Sequence, residues 1–546
     1  MIVSQKERVA PHRGGEENQL PVRDGTATRV LIIGGVLIVL LGAGLRLHHI
    51  SQRSLWLDEA IAANISRGTL SQTLYLTRSL HSAPITDPLI LYAVERVSAA
   101  PLAVRTPSFI ASILAVFLML CFATIPTIDY KTAGLAALML SVSAAQIRYA
   151  QEVREYSLSV LYATVLLYAF LSYLSKKEKT RAGIPLYLAL FGAPLIQYGL
   201  VLFSFGILAT LFVLALAADD RGRRIVQVIV ASGFLGLGGL LSLFLTLRYQ
   251  WGDDAWYLTD YFWTPGTSLV HFIATNTHHL ITFFLPGLAA AAISALAVLI
   301  YLVISIRERR VPPVALLAFI SCGIVLVCAL RHLYPYGGIR QCLFLAPVLC
   351  LFASESLVFV TNKFPGKMKA LGYGAAAGIV IVSGLLQIRL LKPYAEVEDI
   401  QKVLRAVQSE IKPGDNVYIY PGAVFAVDFY VKERDPRFIY GDYHQKAPEQ
   451  YVPEMLTGLR PGAGRVWIVF SHIHGDEDQR ILKDLRRSWD VEAVVSSTGS
   501  ALYLATRKAG SGDDLTEASK SLPAAPDHTH DSFWDWNVRN SRHLAN

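Results

Sequence analysis

The sequence predicts a polytopic α-helical membrane protein with about eleven membrane-spanning helices and a soluble α/β domain at its C-terminal end. Three observations lead there. Of 546 residues, 53% are hydrophobic and only 17% charged, with a mean hydropathy of +0.40, outside the usual range of soluble globular chains. Apolar runs recur up to about residue 390, separated by short clusters of Lys and Arg. From Pro393 the runs stop, and helix-like and strand-like stretches alternate.

Residues 1–29 are polar, carry Lys6, Arg8, Arg13, Arg23 and Arg29, and lack apolar periodicity, so a disordered cytoplasmic arm is expected. The first apolar run, 30–45, is followed by Arg46, His48 and His49 rather than by a small-residue cleavage site, which marks a retained span. Further runs follow at 102–125, 133–145, 156–174, 184–198, 200–218, 225–247, 281–306, 314–330, 343–360 and 371–386. With the arm inside, alternation puts the basic clusters at 176–181, 221–224, 307–310 and 363–369 all on the cytoplasmic face, as the positive-inside rule requires. The net charge of +8 therefore reports membrane topology, and a nucleic-acid partner is not expected. The five cysteines all lie in apolar runs without a Cys-x-x-Cys pair, which points to packing rather than to a metal site or disulfides.

The expected divisions are a catalytic membrane domain over 30–390, an extracytoplasmic α/β domain over 391–507, and a disordered tail over 508–546. In the α/β domain, 394–411 has helical apolar spacing; 416–420, 465–470 and 492–496 read as strands; and 478–489 reads as a helix.

The same alternation gathers the chemically interesting segments on the outer face. Asp58 and Glu59 follow Trp56 just beyond the first span, where charge is costly. Asp58 there is either the cap of an interfacial helix whose Leu57, Ile61 and Ile65 lie on the bilayer, or a general base aimed at an acceptor hydroxyl. In 147–156, Arg148 and Arg154 interleave with Gln151, Glu152 and Glu155 between two spans; the arginines either snorkel to lipid headgroups or belong to a polar cluster suited to holding a phosphate, which is the reading preferred. In 332–340, His332 and Tyr334 precede a glycine pair that would let backbone approach a ligand, and Arg340 enters the next span as a second phosphate contact or a headgroup anchor. The long loop at 248–280, with Trp251, Trp256, Tyr257, Tyr261, Phe262 and Trp263 beside Asp253, Asp254 and Asp260, is expected to be an interfacial belt. The His472-x-His474-x-Asp476 spacing resembles a binuclear metal site, but Glu477 stands where a further histidine is wanted, and helix-start acidity explains the run. Gly233–Gly239 lies within a span and spells no dinucleotide fingerprint.

Taken in order, Leu57-Asp58-Glu59-Ala60, Asp87-Pro88-Leu89, Arg105-Thr106-Pro107-Ser108, Tyr149-Ala150-Gln151-Glu152-x-Arg154-x-Tyr156 and Tyr334-Pro335-x-Gly337-x-x-Arg340 resemble glycosyltransferase family 39. This group of GT-C-fold membrane enzymes includes protein O-mannosyltransferases and the lipid A aminoarabinose transferase. The resemblance covers about residues 30–390. It implies sugar transfer, with inversion, from a polyprenyl-phosphate donor to a glycan, lipid or protein acceptor at the outer face of the plasma (inner) membrane, among membrane lipids. Carried over by position, Asp58 is the base, and Glu59 supports it or binds a divalent cation (Mg²⁺ or Mn²⁺). Arg154, Tyr156 and Arg340 hold the donor phosphate, and Asp87, Gln151, Glu152, His332 and Tyr334 line the site. Thr86-Asp87-Pro88-Leu89 departs from the group's His-Pro-Pro-Leu, which leaves the role of Asp87 open. The alternatives are a lipid-linked sugar flippase or transporter, which would use the same arginines to move a phosphate across the membrane, and a non-catalytic membrane scaffold with the C-terminal domain as its binding module.

Overall fold

The structure is a computed structural model that describes residues 25–509 apart from 81–82, 177–178, 251–255, 393–394, 396, 432–434, 442–450, 460–462 and 474. Trp251, Asp253, Asp254, His474 and the expected tail from residue 510 lie outside the described residues. Among the described residues, eight helices are long and apolar enough to cross a membrane, and three shorter apolar helices accompany them.

The first helix, α1 (Gly25–Leu47), starts inside the segment expected to be an arm. Three short helices follow, α2 (Leu57–Arg67), α3 (Leu70–Leu80) and α4 (Thr86–Glu95), before the span α5 (Pro101–Cys121). The next crossing is broken. α6 (Tyr130–Val142) is only 13 residues, about 20 Å long, too short for a hydrocarbon core of about 30 Å. It continues after a kink at Ser143 as α7 (Ala144–Tyr149). Breaking a helix at that depth frees carbonyls that hydrocarbon cannot satisfy. Arg46, 1% exposed near the end of α1, donates to the carbonyls of Leu140 and Ser141 at 2.9 Å each, and to Ser112 Oγ at 2.7 Å.

The remaining helices of the membrane part are α8 (Tyr156–Ser175), α9 (Lys179–Ile196), α10 (Gly199–Leu216) and α11 (Arg221–Leu245), followed by α12 (Leu269–Phe284), then α13 (Gly287–Arg307), α14 (Pro313–Leu330), α15 (Ala346–Asn362) and α16 (Met368–Leu391). The apolar run expected as one span from residue 281 is two elements: Ile281–Phe284 close α12, and the span begins only after Pro286. α15 is central, packed by α6, α8, α13, α14 and α16.

The C-terminal domain contains α17 (Ile400–Glu410), β1 (Asn416–Ile419), α18 (Val424–Tyr430), β2 (Phe438–Tyr440), α19 (Tyr451–Thr457), β3 (Arg465–Ser471), α20 (Glu477–Leu485), β4 (Trp489–Ser497) and β5 (Ser500–Arg507). The strands order as β2-β1-β3-β5-β4, with β2, β1 and β3 parallel, β5 antiparallel to β3, and β4 antiparallel to β5. β2 and β5 carry no strand expectation in the sequence reading. β1 and β3 are buried on both faces, with alternate residues in different cores. Val417, Ile419, Trp467 and Val469 face one way, and Tyr418, Val466, Ile468 and Phe470 the other.

The second face packs on α19 and α20 within the domain. The first face does not stop at the domain boundary. Its core includes Leu55, Leu57, Ala60 and Ala63 of the α2 region, Leu91 of α4, Val104 of α5 and Val153. The helix layer over that face is thus completed by the membrane part. Leu57 and Ile65, which the capping reading of Asp58 would lay on the bilayer, are instead buried, at 5% and 1% exposure.

Candidate active site

α2 sets the position of Asp58. Trp56 holds the N-cap position in extended backbone and makes no side-chain cap, so Asp58 is the second residue of the helix and not its cap. Its Oδ2 lies 2.8 Å from Arg340 Nη1 and 3.9 Å from Arg154 Nη1. Asp58 and Arg340 remain partly open, with side chains at 21% and 20%, while Arg154 is buried. The Tyr156 ring lies 5.5 Å from the Arg154 guanidinium and 5.6 Å from that of Arg340, and Trp56 lies 5.4 Å from Arg340. Aromatic faces beside cations keep them fixed without neutralising them.

Arg340 opens a 3-10 turn, Arg340–Leu345, at the entrance of α15. The preceding glycine pair approaches protein, not a ligand. A Cβ on Gly337, at φ +151, would meet Asn276 Oδ1 at 2.7 Å, and one on Gly338 would meet the His279 carbonyl at 2.5 Å. Both neighbours are on α12. Glycine therefore lets this turn seat against that helix, which aims Arg340 at Asp58.

Adjacent carboxylates on a helix do not face the same way. Glu59, 1% exposed, turns inward and accepts from Arg105 Nη2 at 2.7 Å, Arg105 Nε at 2.9 Å and the Val153 N–H at 2.9 Å. Arg105, fully buried in α5, also donates to the carbonyls of Ile50, Arg53 and Ser54. This pair ties the α1–α2 loop, α5 and the Arg154 turn together. With Glu59 held by Arg105 and Asp58 between two guanidinium groups, the acidic pair does not fit a divalent cation. Among the described residues, no three His, Cys, Asp or Glu side chains converge as a metal-ligand group.

Behind Arg154 lies a second acidic layer. Glu155 Oε2 is 3.2 Å from Arg154 Nε. Asp87 is 5% exposed, and its Oδ2 has no hydrogen-bond partner among the described residues. Burial first, and then the charge of Glu155, pushes Asp87 up to about 7, with Arg154 opposing. Burial would lower Arg154, but the charges of Glu155, Asp58 and Asp87 outweigh it, so the guanidinium is held in its charged form. A carboxyl whose folded value exceeds its unfolded one, about 3.9, stabilises the fold fully below that value and loses the contribution as pH rises toward 7. Asp87→Asn is therefore expected to melt at progressively higher temperature than the wild type as pH is raised from 4 to 8, with the gap levelling above about 7. Thermal unfolding in detergent across that range checks it; a gap independent of pH would contradict the burial of Asp87.

The other expected site residues divide. Glu152 is buried and paired to Arg148 at 3.1 Å; its Oε2 has no hydrogen-bond partner among the described residues, and burial raises its carboxyl despite Arg148. Tyr334 accepts from Gln197 Nε2 at 3.3 Å and donates to the Gln341 carbonyl at 2.7 Å, beside the Arg340 turn. Gln151 is structural: its amide donates to the carbonyls of Arg46 and His48 at 2.7 Å each, anchoring the end of α1. His332 is exposed, bonded to the Trp263 carbonyl at 2.8 Å and stacked on Phe262, and it fastens the long loop. Sequence reasoning overlooked Arg105 as the partner of Glu59. The available signal was a lone arginine inside an apolar run, which needs a buried partner.

No family model and no curated protein matches the sequence. Solved structures do. ArnT from Cupriavidus metallidurans in the apo state superposes with a TM-score of 0.56 at 12% identity, covering 88% of this chain and 98% of that one. The same protein bound to undecaprenyl phosphate gives 0.53 at 12%, over 86% and 97%. The Archaeoglobus fulgidus oligosaccharyltransferase, solved with zinc and sulfate, gives 0.52 at 11%, over 86% of this chain and 72% of that one. With its apolar helices and its C-terminal sheet domain, the chain is a multi-pass membrane protein of the GT-C fold, the architecture it shares with ArnT and the archaeal oligosaccharyltransferase.

Proposed function

We propose that this chain transfers a sugar from a polyprenyl-phosphate donor to an acceptor hydroxyl at the extracytoplasmic face, with inversion. The observation that carries this is Asp58 held at a partly open position by Arg340 and Arg154. The undecaprenyl phosphate in the ArnT structure supports a lipid phosphate as partner. The basic clusters support the orientation: Arg221–Arg224, Arg307–Arg310 and Lys363–Lys369 cap the span ends opposite the site.

The acceptor oxygen attacks the anomeric carbon while the bond from that carbon to the phosphate oxygen breaks. Asp58 takes the acceptor proton, and the bonding pair leaves with the polyprenyl phosphate. The phosphate gains negative charge in that step, and Arg340 and Arg154 are fixed cations placed to meet it. Both arginines are engaged with Asp58. An arriving phosphate competes for them, so donor binding itself releases the carboxylate for its role as base. A single displacement requires no enzyme nucleophile.

Arg340→Ala is expected to weaken binding of undecaprenyl phosphate by about 30-fold or more, since removing one partner of a charged hydrogen-bonded pair costs at least about 2 kcal/mol. Titration of the purified protein followed by native mass spectrometry measures this, with undecaprenol as the control that should bind weakly to both forms. An unchanged affinity would remove the arginine from the donor site. Incubation of the wild type with labelled polyprenyl-phosphate sugar tests the reaction: release of polyprenyl phosphate that requires an added acceptor supports transfer, and movement of intact donor between leaflets supports a flippase instead.

A further inference from the structure

The C-terminal domain grips the helix that carries Asp58. α2 lacks a cap of its own, because the side chain at its N-cap position is an indole that makes no cap bond. The missing acceptor comes from the other end of the chain. The N–H of Leu57, the first residue of α2, donates to Glu398 Oε2 at 3.1 Å. Two residues earlier, the Leu55 N–H donates to Tyr430 Oη at 2.8 Å. A carboxylate at this point also meets the positive end of the helix dipole.

Glu398 is itself fixed. It is 4% exposed, its Oε1 lies 2.7 Å from His472 Nδ1, and its Oε2 accepts from Ser471 Oγ at 3.4 Å. His472 has a backbone φ of +52, a conformation disfavoured for a residue with a Cβ. That backbone turns directly after β3 and carries the ring to the carboxylate. At the far end of α2, Arg67 donates to the carbonyls of Asp428 and Phe429 at 3.0 Å each, and Asn64 Nδ2 to that of Phe425 at 2.7 Å. The helix is therefore held at both ends by the C-terminal domain.

We infer that Glu398 is a positioning residue for Asp58: the soluble domain caps α2 from outside and thereby sets where the carboxylate stands relative to Arg154 and Arg340. This rests on the proposed function, in which Asp58 is the base. Leu57 and Asp58 are neighbours, so a shift of the capped N–H passes to the carboxylate with little loss. Arg154 and Arg340 come from other segments of the chain: the Arg340 turn is seated against α12, and the Arg154 turn is tied through the Val153 N–H to the Glu59–Arg105 pair. The predicted signature is a loss in turnover without a matching loss in donor recognition, because a misplacement of about 1 Å costs on the order of 100-fold in rate.

The test uses the full-length protein in detergent with two variants. Glu398→Ala removes the acceptor and is expected to lower kcat by about 10- to 100-fold with the KM for polyprenyl-phosphate sugar within about 3-fold. Glu398→Gln keeps an oxygen for the Leu57 N–H and is expected to recover kcat to within about 3-fold of the wild type. A parallel fall in kcat and donor affinity, or a glutamine variant as impaired as the alanine one, overturns the inference. Amide hydrogen exchange of the peptide spanning 54–60 provides a readout independent of activity. It should speed up about tenfold or more in Glu398→Ala and remain slow in Glu398→Gln, while peptides from β1 and β3 keep their protection. If the wild type transfers no sugar, the proposed function fails, and the exchange result alone decides whether Glu398 holds this segment; unchanged exchange in the alanine variant sinks the inference.

Discussion

Asp58→Asn is expected to reduce sugar transfer by about 10²- to 10⁴-fold, the range of a positioned general base, with donor binding retained or tightened. Asparagine preserves the size of the side chain and leaves an oxygen facing Arg340, so the local packing survives. What it cannot do is accept a proton. The sign on donor affinity follows from the shared arginines: Asp58 Oδ2 is 2.8 Å from Arg340 and 3.9 Å from Arg154, and a neutral amide competes with a phosphate less well than a carboxylate does. Single-turnover transfer and equilibrium binding of undecaprenyl phosphate, measured on the same preparation, check both halves. Undiminished transfer would eliminate Asp58 as the base, and a large loss of binding would make it a part of the donor pocket instead.

Arg105→Met is expected to destabilise the protein by about 3–5 kcal/mol, since it strands the Glu59 carboxylate in a site from which water is excluded. The wild-type pair is held by two bonds, at 2.7 and 2.9 Å, with the residues at 0% and 1% exposure. Adding Glu59→Gln to that variant removes the stranded charge and is expected to restore a large part of the loss, because a buried pair replaced as a unit is far less costly than one broken. Unfolding in detergent followed by melting temperature resolves the four members of this cycle. Equal stability for the Arg105 variant and the wild type would show that the two side chains are not paired. An effect confined to turnover, with melting unchanged, would move Glu59 into the chemistry.

These two experiments separate residues that are adjacent in sequence. Composition and apolar periodicity were sufficient for the membrane architecture, because hydrocarbon leaves a chain few ways of satisfying its backbone. Ionisable groups at span ends also stood out from sequence, and Asp58, Arg154, Tyr156 and Arg340 do meet in space. The linear pattern was less informative about α6 and α7, where a break at Ser143 is satisfied by Arg46 from another helix. It was silent on Glu398, which lies 341 residues from the N–H it caps.

By itself the sequence determined that the chain crosses a membrane many times, that a sheet domain follows, and that charged residues gather at one set of span ends. Each is written in local composition or periodicity. Only the tertiary structure decided that Asp58 faces the arginines while Glu59 turns to Arg105, that the glycine pair seats against α12, and that α2 rests on the C-terminal sheet rather than on lipid. The reason is geometric: successive residues on a helix point about 100° apart, and the partner that selects each direction comes from a remote segment.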